Sequence, residues 1–509
     1  MPDFEENIEI EEVVSPQEAR FDRWRNRAGF VLAPLAFLLI YFTPFESLTP
    51  EAHSLAAVIS AIIILWICES LPMPVTALIG AAMCVIFKVA DAKTVFAPFA
   101  DPLMFLFIGS FMLARGIFLH DLDKRFAYGV LSLKIIGARP SRILFAFGAV
   151  TAFASAWISN TATTAMMFAI GLSIIAFLFK HEKQTGIKIN RNYATAMMLI
   201  TSFAASIGGL MTPIGTPPNV IGLGFIRRIL EVEIPFFKWM MIGAPIVIVL
   251  YIFLFLYLNY LAPAGVKEIP GSAEMIQREK AELGKWTRAQ KSTVFAFATA
   301  VVLWIFSGLV ALFAGETSVI YKAVSSRLPE AVGAVVGAVL LFLLPGNKPG
   351  EKAITWNEAV KIDWGVILLY GGGFALGVLS FQTGLAEAIG RNMTALLPLS
   401  GGFGLLVASV IVAIVISETT SNTASANMVV PVVIAIAQAQ GEDPFIPALG
   451  ATFAASLGFM LPVSTPCNAI VYGSGYIPLM KMVKYGILLD IFGAIVIIAM
   501  LSLLAPFVR

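Results

Sequence analysis

A chain of 509 residues that is 58% hydrophobic and 13% charged, with mean hydropathy +0.86, lies far from soluble domains, where roughly 25% of residues are charged. It reads as a multi-span membrane protein. A formal net charge of +2 leaves no global basic field for nucleic acid. Cys68, Cys84 and Cys467 all fall in apolar stretches, against a disulfide framework. His53, His120 and His181 are too scattered for a metal cluster, and no HExxH occurs.

In chain order, residues 1–28 form an acidic tail followed by Arg20, Arg23, Arg25 and Arg27, without the apolar core of a signal peptide. The positive-inside rule places this end in the cytoplasm. Residues 29–53 hold the first span and its loop. Eleven apolar spans follow the pattern 29–45, 54–72, 75–91, 99–119, 192–226, 239–262, 292–314, 330–346, 364–386, 445–479 and 482–508. Eleven crossings, at about 20 residues each, put the C-terminus outside.

Two further apolar stretches, 142–180 and 402–440, are about twice the usual length and read as re-entrant hairpins. Lys124, Arg125, Arg139 and Arg142 precede the first, and Lys180, Lys183, Lys188 and Arg191 follow it, so both its ends lie on the cytoplasmic side. The linker 263–291, rich in lysine and arginine, falls inside by the same count. Arg227, Arg228 and Lys238 land outside, against the rule. Segments 120–141 and 387–401, each ahead of a hairpin, read as interfacial arms.

An internal repeat organises the chain. Ser155, Ser159, Asn160 and Thr161 lie in one S-x-x-x-S-N-T-A, and Ser417, Ser421, Asn422 and Thr423 in another, 262 positions later. Phe203-Ala-Ala-Ser206 matches Phe453-Ala-Ala-Ser456 at offset 250, and Gly215-Thr216-Pro217-Pro218-Asn219 matches Ser464-Thr465-Pro466-Cys467-Asn468 at offset 249. The matches divide the chain into repeats 54–262 and 292–509. An odd number of crossings between them makes the repeats inverted, the architecture of secondary transporters with a site near the midplane.

The chemistry of these motifs is specific. Pro213, Pro217 and Pro218 unwind the fifth span, and Pro462 and Pro466 the tenth. Unwinding frees carbonyl oxygens for a cation and leaves half-helix N-termini for an anion. Hydroxyl and carboxamide oxygens at the hairpin tips are hard ligands, suited to an alkali cation. One S-N-T in a membrane helix is usually packing, and one T-P-P-N usually a kink; the duplicated pair reads as a site. Neither motif has a nearby lysine or arginine, and Glu418 is the only charge in either. Glu418 either tunes a cation or ties the hairpin internally. Glu69 reads as a helix cap, Arg115 as structural, and Gly371 to Gly373 as a close helix approach.

On these motifs, in this order, the chain resembles the divalent anion/sodium symporters over nearly its whole length. The resemblance implies an all-α polytopic protein with two re-entrant hairpins in inverted repeats, a scaffold and a transport domain moving as an elevator, and a homodimer. It implies a first sodium site at Ser155, Ser159, Asn160 and backbone near Gly215, and a second at Ser417, Thr420, Asn422 and backbone near Ser464. Substrate carboxylates would meet Asn160, Thr161, Asn422 and Thr423, with Thr216, Pro217, Thr465 and Pro466 completing the pocket. Cys467 departs from the symmetric proline and reads as lying just outside the ligand positions. The expected protein is not an enzyme. It sits in the lipid of the cell membrane and imports a small dianionic carboxylate (succinate, malate or fumarate) or a related di- or tricarboxylate such as citrate, with about two sodium ions per protomer and no organic cofactor. The competing readings are sodium-independent exchange, sulfate transport and, more remotely, an intramembrane enzyme.

Overall fold

The computed structural model describes residues 16–186, 188–315, 317–396 and 401–507. The acidic residues 1–15 of the expected tail and the end of the second arm lie outside them. Among the described residues every named element is helical, and the one β-bridge joins Pro345 to Lys352. Among the described residues ten helices are long and apolar enough to cross a membrane, or eleven with one bent pair counted as a span.

Helix α1 (Pro16–Phe42) runs from the basic stretch into the first apolar one and packs on α2 (Pro50–Cys68). Thr49 starts α2 by accepting the Ala52 amide, and Glu69 ends it in the left-handed region at φ 47°. Glu69 also takes an ion pair from Arg25 at 2.6 Å, so the cap ties α1 to the end of α2. Helices α3 (Met73–Ile86), α4 (Ala92–Phe96) and α5 (Pro102–Leu119) follow. The first arm is α6 (Leu122–Leu131).

The hairpin stretch 142–180 is two helices, α7 (Pro140–Ser155) and α8 (Asn160–Thr185), broken at the S-N-T. The stretch 192–226 is also two, α9 (Asn192–Gly209) and α10 (Pro217–Leu230), broken at the prolines. Helix α11 (Phe236–Leu261) completes the first half, and α12 (Ser272–Glu282) lies in the linker.

A capping box between Thr287 and Gln290 opens α13 (Arg288–Ala314). The sequence marks 330–346 as a lone span; the structure precedes α15 (Glu330–Leu343) with α14 (Val319–Arg327), bent by 50° at the Pro329 junction. After α16 (Trp356–Ala359) come α17 (Trp364–Gln382) and α18 (Leu385–Leu396), the second arm. The pattern of the first half then returns. Helices α19 (Gly401–Thr419) and α20 (Asn422–Gln440) break at the second S-N-T, and α21 (Phe445–Ala454) and α22 (Pro466–Tyr472) break at the second proline pair. Helix α23 (Leu479–Leu504) closes the chain.

One hydrophobic core runs through both broken helix pairs of each half together with α11 and α23, and a smaller core joins α1 to α3 with α17. Small residues allow the contacts: a Cβ on Gly372 would come within 2.6 Å of the Ala77 Cβ on α3. Large exposed apolar side chains, among them Phe42, Tyr260, Phe313 and Leu503, give the outer surface the character of a lipid-facing one.

Candidate functional site

Each S-N-T motif builds a helix start. Ser159 accepts the Ala162 amide at 3.3 Å and so caps α8, and Ser421 caps α20 through the Ala424 amide at 3.2 Å. Behind each cap a serine one turn back fixes the asparagine. Ser155 Oγ donates to Asn160 Oδ1 at 2.6 Å, and Ser417 Oγ lies 2.8 Å from Asn422 Oδ1.

The two unwound stretches are also built alike. Asn219 Nδ2 donates to the carbonyls of Gly209 and Thr212 at 2.9 and 2.8 Å. Asn468 Nδ2 donates to those of Gly458 and Leu461, both at 2.9 Å. The asparagine of T-P-x-N is therefore a staple that satisfies carbonyls released by the missing helical turn. Both asparagines are fully buried.

These four breaks converge on one cavity of ≈ 490 Å³, a size typical of small-ligand sites. All eight residues expected to meet substrate line it: Asn160, Thr161, Thr216, Pro217, Asn422, Thr423, Thr465 and Pro466. Of the residues expected to hold cations, Ser159, Asn160, Gly215, Asn422 and Ser464 line it. Ser155, Ser417 and Thr420 do not; they are buried behind the tips, and the Thr420 hydroxyl donates to Ile416 O at 2.7 Å. The N-termini of α8, α10 and α20 face the cavity, which favours negative charge there.

The sequence reading misses part of this lining. Ser421 stands 262 positions after Ser159 and was legible from the repeat alone. Cys467 is not outside the pocket as expected: it is the second residue of α22, lines the cavity, and sits among Thr161, Thr164 and Ser206. The opposite wall comes from distant chain: Phe111, Arg115 and Phe118 of α5, and Lys361, Asp363 and Val366 around the start of α17. Arg115 is thus both structural and at the site, since its guanidinium pairs with Glu358. Lys361 donates to the same carboxylate at 2.7 Å. Hydrogen bonds from Lys361 and Arg115 hold the Glu358 carboxyl below its ordinary range. Only folding brings these charges to the hydroxyl-rich wall.

Two other charges find their place. Arg227, which the loop-charge rule handles badly, is spoken for by both carboxylate oxygens of Asp101, each at 2.6 Å. Glu418 neither faces the cavity nor bonds within its hairpin. It bridges to the unwound stretch, accepting from the Met460 amide at 2.8 Å and the Ser464 hydroxyl at 2.5 Å.

The model of the sodium:sulfate symporter transmembrane region matches residues 25–507. The chain belongs to this family. It is 34% identical over 485 residues to the sodium-dependent dicarboxylate transporter SdcS of Staphylococcus saprophyticus, covering 94% of this chain and 91% of that protein. The SdcS of Staphylococcus aureus is 33% identical over 486 residues with the same coverage. Among solved structures, the efflux pump MtrF of Neisseria gonorrhoeae shares the fold at 13% identity and TM-score 0.53, covering 83% of this chain and 85% of that one. Family membership places the protein among membrane transporters, not enzymes.

Proposed function

We propose that this family member is a sodium-coupled importer of C4-dicarboxylates. The observation that carries the reading is the convergence of two S-N-T caps and two proline-broken helices on one cavity whose inner wall offers only neutral oxygen, amide and thiol groups. The relatives named as sodium-dependent dicarboxylate transporters support the substrate and the ion.

Hard oxygen donors suit sodium. One ion would take Ser155, Ser159, Asn160 and backbone near Gly215. The other would take Ser417, Thr420, Asn422 and backbone near Ser464. The substrate would lie between the tips, with its carboxylates against Asn160, Thr161, Asn422 and Thr423, and Thr216, Pro217, Thr465 and Pro466 closing the ends. Arg115 and Lys361 face it from the other wall as cationic donors, their charge balanced in the free protein by Glu358 and Asp363.

The larger architecture follows. Residues 54–262 and 292–509 form inverted repeats joined by a cytoplasmic linker. The hairpins and broken helices move as an elevator against a scaffold, in a homodimer in the cell membrane with the N-terminus inside and the C-terminus outside.

The test is uptake of labelled succinate into proteoliposomes, with sodium or choline outside and with or without dicarboxylate inside. The reading expects uptake with sodium only. Uptake in choline that needs internal dicarboxylate makes the protein an exchanger, and competition by sulfate but not by malate or fumarate makes it a sulfate carrier.

A further inference from the structure

The two halves match in their capping serines, their asparagine staples and the way the last helix of each half packs on its unwound stretch. A Cβ on Gly243 of α11 would meet the Leu210 carbonyl at 2.5 Å, and one on Gly486 of α23 would meet the Phe459 carbonyl at 2.3 Å. Leu210 and Phe459 stand at the same offset of 249 as Asn219 and Asn468. The register of the two halves is therefore fixed residue by residue.

In that register one paired difference stands out. Ser155 is followed by Ala156, and Ser417 by Glu418. One turn beyond Gly243 comes Val247, and one turn beyond Gly486 comes Asp490. All four are buried. The first half thus places two apolar residues where the second places two carboxylates.

Asp490 lies beside Glu418 and the backbone of Phe459. It is 4% exposed, and beyond its contacts with Glu418 and the Phe459 backbone its two buried carboxylate oxygens have no hydrogen-bond partner among the described residues. Glu418 spends its oxygens on the Met460 amide and the Ser464 hydroxyl. Two carboxylates at membrane depth with neither a cation nor a proton between them are costly: a single charge at the helix centre costs roughly 2.5–3.5 kcal/mol on insertion scales, and like charges this close repel.

We infer that Asp490 and Glu418 form a third cation site, specific to the second half, which takes one sodium ion. The inference rests on the sodium-coupled reading above. The site adjoins the second proposed sodium site through Ser464, which hydrogen-bonds Glu418. Its cation is held between α23 and the hairpin tip by the unwound stretch. With three sodium ions and one dianion, each import cycle carries one net positive charge; with two it carries none.

The experiment counts sodium by equilibrium binding of radioactive sodium to purified protein at saturating succinate, and measures the response of uptake to an imposed membrane potential. It compares the full chain with Asp490→Asn and, should that variant fold poorly, Glu418→Gln. Wild type should bind three ions and take up succinate faster at negative internal potential. The variants should bind two, lose the response to potential, and show a sodium dependence of succinate binding that falls from about third to about second order. An unchanged count and unchanged potential response in a monodisperse variant overturn the site while leaving sodium coupling intact. Two ions in wild type, with one proton released at that pair as pH rises, also overturn it and assign the pair to a proton. No sodium binding in wild type overturns both this inference and the coupled reading.

Discussion

The two halves of the molecule solve one problem twice and then diverge. In each, a serine one turn back fixes an asparagine, a second serine caps the following helix, and a buried asparagine staples an unwound stretch. The second half adds Glu418 and Asp490 where the first has Ala156 and Val247. It also ties its staple more firmly, since Asn468 Oδ1 accepts from Ser202 at 2.6 Å while Asn219 Oδ1 has no partner. What is shared between the halves is what a substrate with two similar ends requires. What differs bears on charge and on how firmly one unwound stretch is held.

The hardest test of the shared part is to remove one tip at a time. Asn160→Ala and Asn422→Ala should each leave a folded protein with uptake reduced at least a hundredfold. Each loses a group proposed to meet both cation and substrate, and hydrogen bonds to charged groups are worth roughly 1.5–3 kcal/mol each. Near-wild-type uptake in either variant would mean that the halves do not contribute equally.

The next test concerns motion. Trp157, at the first hairpin tip, packs on Phe297 of α13 with ring centroids 5.9 Å apart. A cysteine pair at these positions, in a background without Cys68, Cys84 and Cys467, should cross-link and stop uptake until reduced. Full transport by cross-linked protein would replace the elevator with a local gate.

Smaller effects compare other paired features. Arg115→Gln or Lys361→Gln should raise the apparent KM for succinate about three- to tenfold, or about 0.7–1.4 kcal/mol, with a larger effect at low salt. No change at low salt would remove these residues from substrate attraction. Asn468→Ala should destabilise the protein more than Asn219→Ala by about 1 kcal/mol, the worth of the extra hydrogen bond, read as a lower melting temperature.

The arms differ too. Asp123 of α6 is 6% exposed, and burial raises its pKa to about 6, whereas Glu387 of α18 is exposed and paired with Arg391. A carboxyl raised on folding favours the protonated form, so its contribution is fully present below the ordinary carboxylate range and is lost as pH rises to about 6. Asp123→Asn should therefore stabilise the protein by up to about 3 kcal/mol at pH 7.5 and little at pH 4. An equal melting shift at both pH values would contradict this.

How much of this was legible depended on sequence distance. The helices, their breaks and the eight cavity-lining positions proposed to meet substrate lay in local patterns: apolar length, prolines that cannot continue a helix, and an eight-residue motif written twice. Ser421 was equally legible through the repeat. Arg115 and Lys361 were not, because they belong to segments with no motif and reach the cavity only when α5 and the start of α17 pack across from the tips. Cys467 was misplaced because its wall position depends on where the first turn of α22 begins. The surroundings of Glu418 depended on Asp490, 72 positions away, which in sequence is the one acidic residue of a long apolar helix.

On the proposed reading, sodium and a dicarboxylate complete one site built by both halves. The most direct measurement is the succinate Kd of purified protein across a series of sodium concentrations, with the sodium affinity measured in parallel with and without succinate. Succinate should bind far more tightly as sodium rises, and should tighten sodium by the same factor, as linkage requires. A succinate Kd that is the same in choline as in sodium would contradict that reading.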